Sequence, residues 1–177
     1  MVKTIGRVQM KLNMALKKAS QPIQVSAQIS EAGANTFTQT EVELALNPLD
    51  NEVFVVYAID IGVASPDVSA GNDSFTICSV STSSRTAIGN ISDSNVLAQA
   101  SKIIVDGVVP FSTISPETPT GDKLDYIGIV ATSNLFLQML GDNNAGAKGA
   151  HVRVYGARAR ADAATYAALV QSEVLSA

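Results

Sequence analysis

The spacing of apolar residues changes from helix-like to strand-like about twenty residues into the chain. Four apolar residues of the first segment recur every three or four positions: Ile5, Val8, Leu12 and Leu16. This spacing places them on one side of a helix. From residue 21 the period falls to two, as in residues 23–29, where apolar and polar side chains alternate. That alternation is typical of a strand with one buried face.

Strand-like runs follow one another through most of the chain, separated by turn-forming residues. They lie at residues 23–29, 42–46, 52–61, 74–80, 102–105, 108–109, 125–131, 134–140 and 150–160. The turn formers of residues 47–51 predict a hairpin between the second and third of these strands. Asp106-Gly107 between two β-branched runs predicts another hairpin, because glycine tolerates the positive φ of a tight turn.

The last strand-like run, residues 150–160, changes its pattern at Gly156. Before Gly156 the apolar side chains stand at even positions, Val152 and Val154. After it the small residues Ala157 and Ala159 stand at odd positions. Since one inserted residue reverses the two faces of a strand, this change predicts a β-bulge near Gly156.

A C-terminal helix is predicted for residues 161–177. Asp162 is a suitable N-cap, and the alanines that follow are strong helix formers. At 100° per residue four apolar side chains share one face: Tyr166, Leu169, Val170 and Val174. This stripe needs a cover, and we expect it to contact a neighbouring subunit. Packing on the chain's own sheet is the alternative.

The order of these elements predicts a mainly β fold: a single jelly-roll or Greek-key antiparallel β-sandwich, with an N-terminal amphipathic helix and a C-terminal helix. Long loops at residues 62–73, 81–100 and 115–124 favour Greek-key connections over a simple meander. We expect three segments. They are a basic amphipathic arm (1–20), the β-sandwich (21–160) and the C-terminal helix (161–177).

Charge is distributed unevenly between the arm and the remainder of the chain. The first twenty residues hold five basic and no acidic side chains: Lys3, Arg7, Lys11, Lys17 and Lys18. The whole chain has a net charge of −4, so the part after the arm is strongly acidic. A basic amphipathic helix binds nucleic acid or an acidic partner, lies on an anionic membrane, or packs its apolar side on the protein body or on a neighbouring subunit. Five charges are few, so nucleic-acid binding requires many copies acting together.

The composition excludes several kinds of chemistry. Apolar residues make up 46% of the chain and charged residues 16%, and Trp is absent. With one cysteine, Cys78, and one histidine, His151, neither a disulfide framework nor a Cys/His zinc site is available. We expect Cys78 to be a small buried hydrophobe and His151 a surface or interface residue. The longest apolar run, residues 53–59, is too short to span a bilayer.

Motifs of catalytic or cofactor chemistry are incomplete in this sequence. Residues 141–149 resemble a phosphate-binding loop, but Gly149 stands where Ser or Thr would hold magnesium. Glu41 and Glu43 share one strand face, but a chain with few aromatic residues has few of the platforms on which glycosidases hold sugars. We therefore expect no catalytic site, no cofactor and no metal.

The organisation of the whole chain resembles the single jelly-roll coat proteins of small icosahedral viruses. A basic arm precedes about eight strands with Ser/Thr-rich loops, and residues 152–173 are similar to coat-like proteins of uncultured marine viruses. The resemblance implies a structural protein, made in the host cytoplasm and located in the virion. Many copies would form an icosahedral shell, with the arm facing packaged nucleic acid or, less favoured, an internal membrane.

Self-association is also favoured by the composition, because an apolar, charge-poor chain has surface to cover at subunit interfaces. Two other classes of protein remain open at this point. One is a carbohydrate-binding or host-attachment β-sandwich module, and the other is a virion decoration protein.

Overall fold

The computed structural model describes residues 16–106 and 126–175. This part of the chain forms nine strands and one helix. The elements are β1 (Leu16–Lys18), β2 (Ile23–Ser30), β3 (Thr38–Glu43), β4 (Glu52–Val63), β5 (Ser74–Ser81), β6 (Val96–Ile104), β7 (Gly128–Val130), β8 (Asn134–Asp142), β9 (Gly149–Ala161) and α1 (Ala163–Leu175). The predictions of a mainly β fold and of a C-terminal helix are confirmed.

The strands form two antiparallel sheets. Sheet I has the order β1-β9-β4-β7, with β2 also paired to β9. Sheet II has the order β3-β8-β5-β6. Strand β1 pairs with Ala159–Ala161 of β9, and β2 pairs with Gly149–Gly156 of the same strand. The strands β1 and β2 therefore act as one interrupted edge strand of sheet I.

The main hydrophobic core lies between the two sheets. Alternate residues of β4 and β9 contribute from sheet I, and alternate residues of β5 and β8 contribute from sheet II. Its largest fully buried apolar side chains are Phe54, Ile59, Leu135, Leu137 and Met139. Because each such side chain stabilises the fold by about 1.5–3 kcal/mol on burial, this core is what holds the sandwich together.

Residues 16–18 form a strand, whereas the sequence predicts a helix over residues 1–20. The backbone of Leu16–Lys18 pairs with the end of β9, and the Leu16 side chain packs into an apolar cluster on the outer face of sheet I. A ladder and a half-buried side chain outweigh local helix propensity at this position. The helix prediction for residues 1–15 lies outside the described residues.

The predicted hairpin between residues 42–46 and 52–61 is wrong. Strand β3 pairs with β8, while β4 pairs with β7 and β9, so the two predicted partners belong to different sheets. The turn formers make a 3₁₀ turn at Pro48–Asp50, followed by Asn51 in the left-handed region, with φ 50°. Leu44 and Leu46 are buried where the chain crosses between sheets, which explains their strand-like alternation.

The predicted hairpin at Asp106-Gly107 falls partly outside the described residues. Its first run, residues 102–105, overlaps the end of β6, and residues 107–109 are not among those described. The prediction of a loop over residues 81–100 is wrong from Val96 onward, because β6 begins there and pairs with β5.

The predicted irregularity near Gly156 is present, but the extra residue belongs to β4. The register between β4 and β9 shifts between Val56 and Ala58, which leaves Tyr57 out of the pairing, whereas β2 pairs with β9 in unbroken register. A Cβ at Gly156 would lie 2.4 Å from Phe54 Cε1, so the fold requires glycine there. The pattern of β9 changes because beyond Gly156 the buried face is the one that carries Ala157, Ala159 and Ala161, whereas Arg160 on the other face is exposed.

Candidate functional site

Helix α1 covers one half of the outer face of sheet I. Tyr166, Leu169 and Val170 pack on an apolar cluster formed by Val53, Val55, Ala131, Ala159 and Ala161. The structure thus shows the alternative considered from the sequence, packing on the chain's own sheet, for three of the four residues in the stripe. The fourth, Val174, is 65% exposed. Contact of this stripe with another subunit stays a prediction.

Asp162 caps the start of α1, as predicted. Its Oδ1 accepts a hydrogen bond from Thr165 N over 2.8 Å. Hydrogen bonding from the Thr165 backbone is the main reason that the pKa of Asp162 lies below its usual range. The cap satisfies one of the amide groups left without a partner at a helix start.

The other end of α1 is fastened by a buried carboxylate, Glu173. Its Oε1 accepts from Ala131 N over 2.7 Å, and its Oε2 accepts from Thr132 N over 2.9 Å. Both donors belong to the connection between β7 and β8, so α1 runs across sheet I from β9 to the β7 edge. This role of Glu173 was not predicted from the sequence. The signal was an acidic residue at helical spacing from Tyr166 and Val170 within the apolar stripe.

Two of the five basic residues of the predicted arm, Lys17 and Lys18, lie in β1. Both are exposed, and Lys18 Nζ lies 5.7 Å from the centroid of the Tyr57 ring, within range of a cation–π contact. Lys17 stands directly opposite Arg160 in the β1–β9 ladder. Arg160 is itself paired with a carboxylate, because its guanidinium lies 3.3 Å from Asp50 Oδ2. Lys3, Arg7 and Lys11 lie outside the described residues.

The glycine-rich segment 141–149 forms a connection between β8 and β9 whose polar groups bind the chain itself. Asn144 accepts from Asp67 N over 2.9 Å and donates to the Phe75 carbonyl over 3.0 Å. Lys148 Nζ, the cation of the apparent phosphate-binding motif, lies 2.6 Å from Asp67 Oδ1. This ion pair is the main reason that the pKa of Asp67 is lowered. The pairing explains why the motif is a structural loop.

A second buried carboxylate, Glu31, fastens the same end of the sandwich. It is 5% exposed, and it accepts from Gly141 N over 2.6 Å and from Lys148 N over 2.8 Å. A buried carboxylate is tolerated because backbone donors replace its water. Glu31 therefore has a structural role, because it connects the end of β2 with the end of β8 and the start of β9.

The outer face of sheet II carries a buried polar network. Gln138 accepts from Ser79 Oγ over 2.8 Å and donates to Ser81 Oγ over 2.8 Å, and all three side chains are fully buried. The β5–β6 connection forms part of the same network: Arg85 N and Gln138 Nε2 both donate to Gln39 Oε1. This connection therefore lies against the outer side of sheet II.

Cys78 belongs to β5 of sheet II and lies in the core, whereas His151 belongs to β9 of sheet I and lies on its outer face. Cys78 is fully buried in the core, where loss of solvation raises the pKa of its thiol to about 12. His151 is exposed on the outer face of β9. The two residues therefore do not form a nucleophile and base pair.

Acidic side chains are dispersed in the described ranges. Glu41 and Glu43 are exposed on the edge strand β3, and the Glu41 carboxylate accepts from the Asn134 side chain. Within residues 16–106 and 126–175, no group of three or more His, Cys, Asp or Glu side chains is arranged to hold a metal ion.

The remaining half of the outer face of sheet I carries an open groove of about 560 Å³. The groove is lined by residues of three neighbouring strands, β2, β9 and β4. The residues with exposed polar groups or open backbone there are Ser26, Gln28, Asp60, Gly62, His151 and Arg153. We call this surface the sheet I groove.

Comparison of the chain with protein-family models gave no match. No curated protein matched it either. Among the helices in the described ranges, none has the length and apolar character needed to cross a bilayer. The function of the chain is therefore inferred from its fold and from the surfaces described above.

Proposed function

We propose that this chain is a single jelly-roll capsid protein of a virion, and that many copies assemble into an icosahedral shell. The observation that carries the proposal is the strand order. When β1 and β2 are counted as one interrupted strand and the resulting eight strands are renumbered along the chain, sheet I has the order 1-8-3-6 and sheet II the order 2-7-4-5. Two antiparallel sheets connected in this way correspond to the double Greek key of a jelly roll.

The basic surface around β1 supports an interior position for the arm. Lys17 and Lys18 lie exposed at the place where the chain enters sheet I. In a shell, each copy would add this charge and that of the preceding arm to the same inner surface. Many weak phosphate contacts together bind packaged nucleic acid, although each chain alone carries few positive charges.

Exposed apolar side chains at one end of the sandwich support a contact between subunits. Leu49 is 93% exposed, Val174 65% and Leu175 77%. Leu49 lies in the connection that begins β4, next to the end of β9, because Ala161 N donates to Asn51 O. The β7–β8 connection that binds Glu173 lies at the same end. We propose that this apolar end is covered by a neighbouring copy.

Size-exclusion chromatography and negative-stain electron microscopy of the purified chain test the proposed assembly. We expect closed particles of uniform diameter. A stable monomer or a small ring would contradict the proposal and favour an attachment module or a decoration protein.

A matched pair of variants tests the proposed subunit contact. Val174→Glu places a charge on the apolar end, whereas Gln171→Glu places the same charge on an exposed polar position of α1. We expect Val174→Glu to reduce the yield of particles and Gln171→Glu to leave it unchanged. If both variants assemble like the parent chain, α1 does not contribute to the contact.

A further inference from the structure

We propose that the sheet I groove binds a neutral carbohydrate. The proposal goes beyond self-assembly and does not depend on it, because every residue of the groove belongs to one chain. Successive residues on one face of a strand are about 7 Å apart, and neighbouring strands are about 4.8 Å apart. Two rows of side chains across three strands therefore make a floor of roughly 7 by 10 Å. These rows are Ser26–Arg153–Asp60 and Gln28–His151–Gly62.

Gly62 is the first argument for a ligand in the groove. Glycine within a strand weakens it relative to alanine. The fold does not require it, because its φ is not in the left-handed region and the nearest atom to a Cβ built there is the His151 carbonyl oxygen, at 3.9 Å. Gly156, in contrast, is demanded by Phe54. Glycine in a strand interior often marks the close approach of a ligand, and Gly62 leaves such a space open.

The arrangement of Asp60 and Arg153 is the second argument. The two residues stand directly opposite in the β4–β9 ladder. Arg153 nevertheless turns along its own strand and donates to Tyr155 Oη over 3.3 Å. A carboxylate acceptor and a guanidinium donor thus lie side by side and attract each other, while the hydrogen bond that Arg153 donates goes to Tyr155. Two adjacent hydroxyl groups of a sugar match this pair, because one donates to Asp60 while the other accepts from Arg153.

The other groups of the groove fit the same class of ligand. Ser26, Gln28 and His151 supply further donors and acceptors around Gly62. Tyr155 lies two residues along β9 from Arg153, on the same face and beside the groove, where its ring would pack on the C–H groups of a sugar. With one carboxylate and one guanidinium, the groove favours a polar but uncharged ligand over a polyanion, which Asp60 would repel.

Saturation-transfer-difference NMR with the full chain tests the proposal in the monomer or in assembled particles, because it observes the sugar. The probes are methyl α-D-mannopyranoside, methyl β-D-galactopyranoside and N-acetyl-D-glucosamine. We expect saturation transfer to at least one of them. Gly62→Val fills the open space, and Asp60→Asn removes the charged acceptor. Each should weaken binding by about tenfold or more. Gly62→Val does so by blocking the space, and Asp60→Asn by loss of a hydrogen bond to a charged group.

Gly146→Val is the matched control, because a Cβ at Gly146 meets no atom within 4 Å and the residue lies outside the groove. It should bind the sugar like the parent chain, with all three variants verified as folded by circular dichroism. Absence of transfer to all three probes overturns the proposal, as does transfer that Gly62→Val and Asp60→Asn leave unchanged. If Gly62→Val changes the oligomeric state instead of sugar binding, the groove is a subunit contact and the proposal is wrong.

Discussion

Replacing Glu173 by alanine tests how helix α1 is held on sheet I. The Glu173 carboxylate accepts from two consecutive backbone amides, those of Ala131 and Thr132, and is 8% exposed. In Glu173→Ala both amides lose this acceptor. The apolar contacts of Tyr166, Leu169 and Val170 remain, so the variant separates the carboxylate from the rest of the interface.

The expected loss of stability follows from these two hydrogen bonds. Hydrogen bonds to charged groups contribute about 1.5–3 kcal/mol each, and the two are not fully additive because they share one side chain. We therefore expect Glu173→Ala to lower the free energy of unfolding by about 2–4 kcal/mol. For a chain of this size that corresponds to a decrease in Tm of roughly 6–12 °C. Glu173→Gln keeps one acceptor oxygen and should lose about half as much.

Urea unfolding monitored by circular dichroism measures the change, and amide hydrogen exchange locates it. Ala131 and Thr132 amides should exchange faster in Glu173→Ala, while amides of the core strands keep their relative protection. Gln171→Ala, at an exposed position of the same helix, should stay within about 0.5 kcal/mol of the parent chain. If Glu173→Ala is as stable as Gln171→Ala and both amides stay protected, the carboxylate does not fasten the helix.

Three further predictions concern the core and one loop. Gly156→Ala should destabilise the fold by about 2 kcal/mol or more through the clash with Phe54, whereas Gly62→Ala should be neutral or slightly stabilising in urea unfolding. Cys78, with a pKa of about 12, should react with a thiol reagent at neutral pH only when the chain unfolds; rapid labelling of the folded protein would contradict its burial. The pKa of Asp67 is lowered below 3.8 in the folded state, so its contribution to stability is present above that pH and lost as the pH falls through the folded value. Asp67→Asn should therefore be less stable than the parent chain at neutral pH, and the difference should disappear in acid.

Local periodicity was sufficient to locate most of the secondary structure. A strand of a sandwich places every second side chain in the core, so alternation over residues 23–29 identified β2 in advance. The alanine-rich C-terminal segment and its Asp162 cap likewise depend on residues close in sequence, which is why α1 was predicted correctly. The role of Gly156 as a special position was also visible, although its cause was not.

Strand pairing could not be obtained from the same signals. A turn-forming segment such as residues 47–51 serves equally as a hairpin turn and as a crossover between sheets. Only the core decided between them, by burying Leu44 and Leu46 on the way from β3 to β4. The start of the chain shows the same effect, because Leu16–Lys18 have helical spacing but join the free edge of β9.

The amino-acid sequence by itself determined a β-sandwich with a terminal helix and a basic first segment, since these properties depend on composition and on neighbours along the chain. The tertiary structure decided what the polar residues do. Glu173 and Glu31 accept from amides that are distant in sequence, and Asp60 meets Arg153 only across the β4–β9 ladder. The sequence alone does not show which hydrogen-bond donors the fold brings to a given carboxylate. The sheet I groove, which depends on three strands meeting, therefore became visible only in three dimensions.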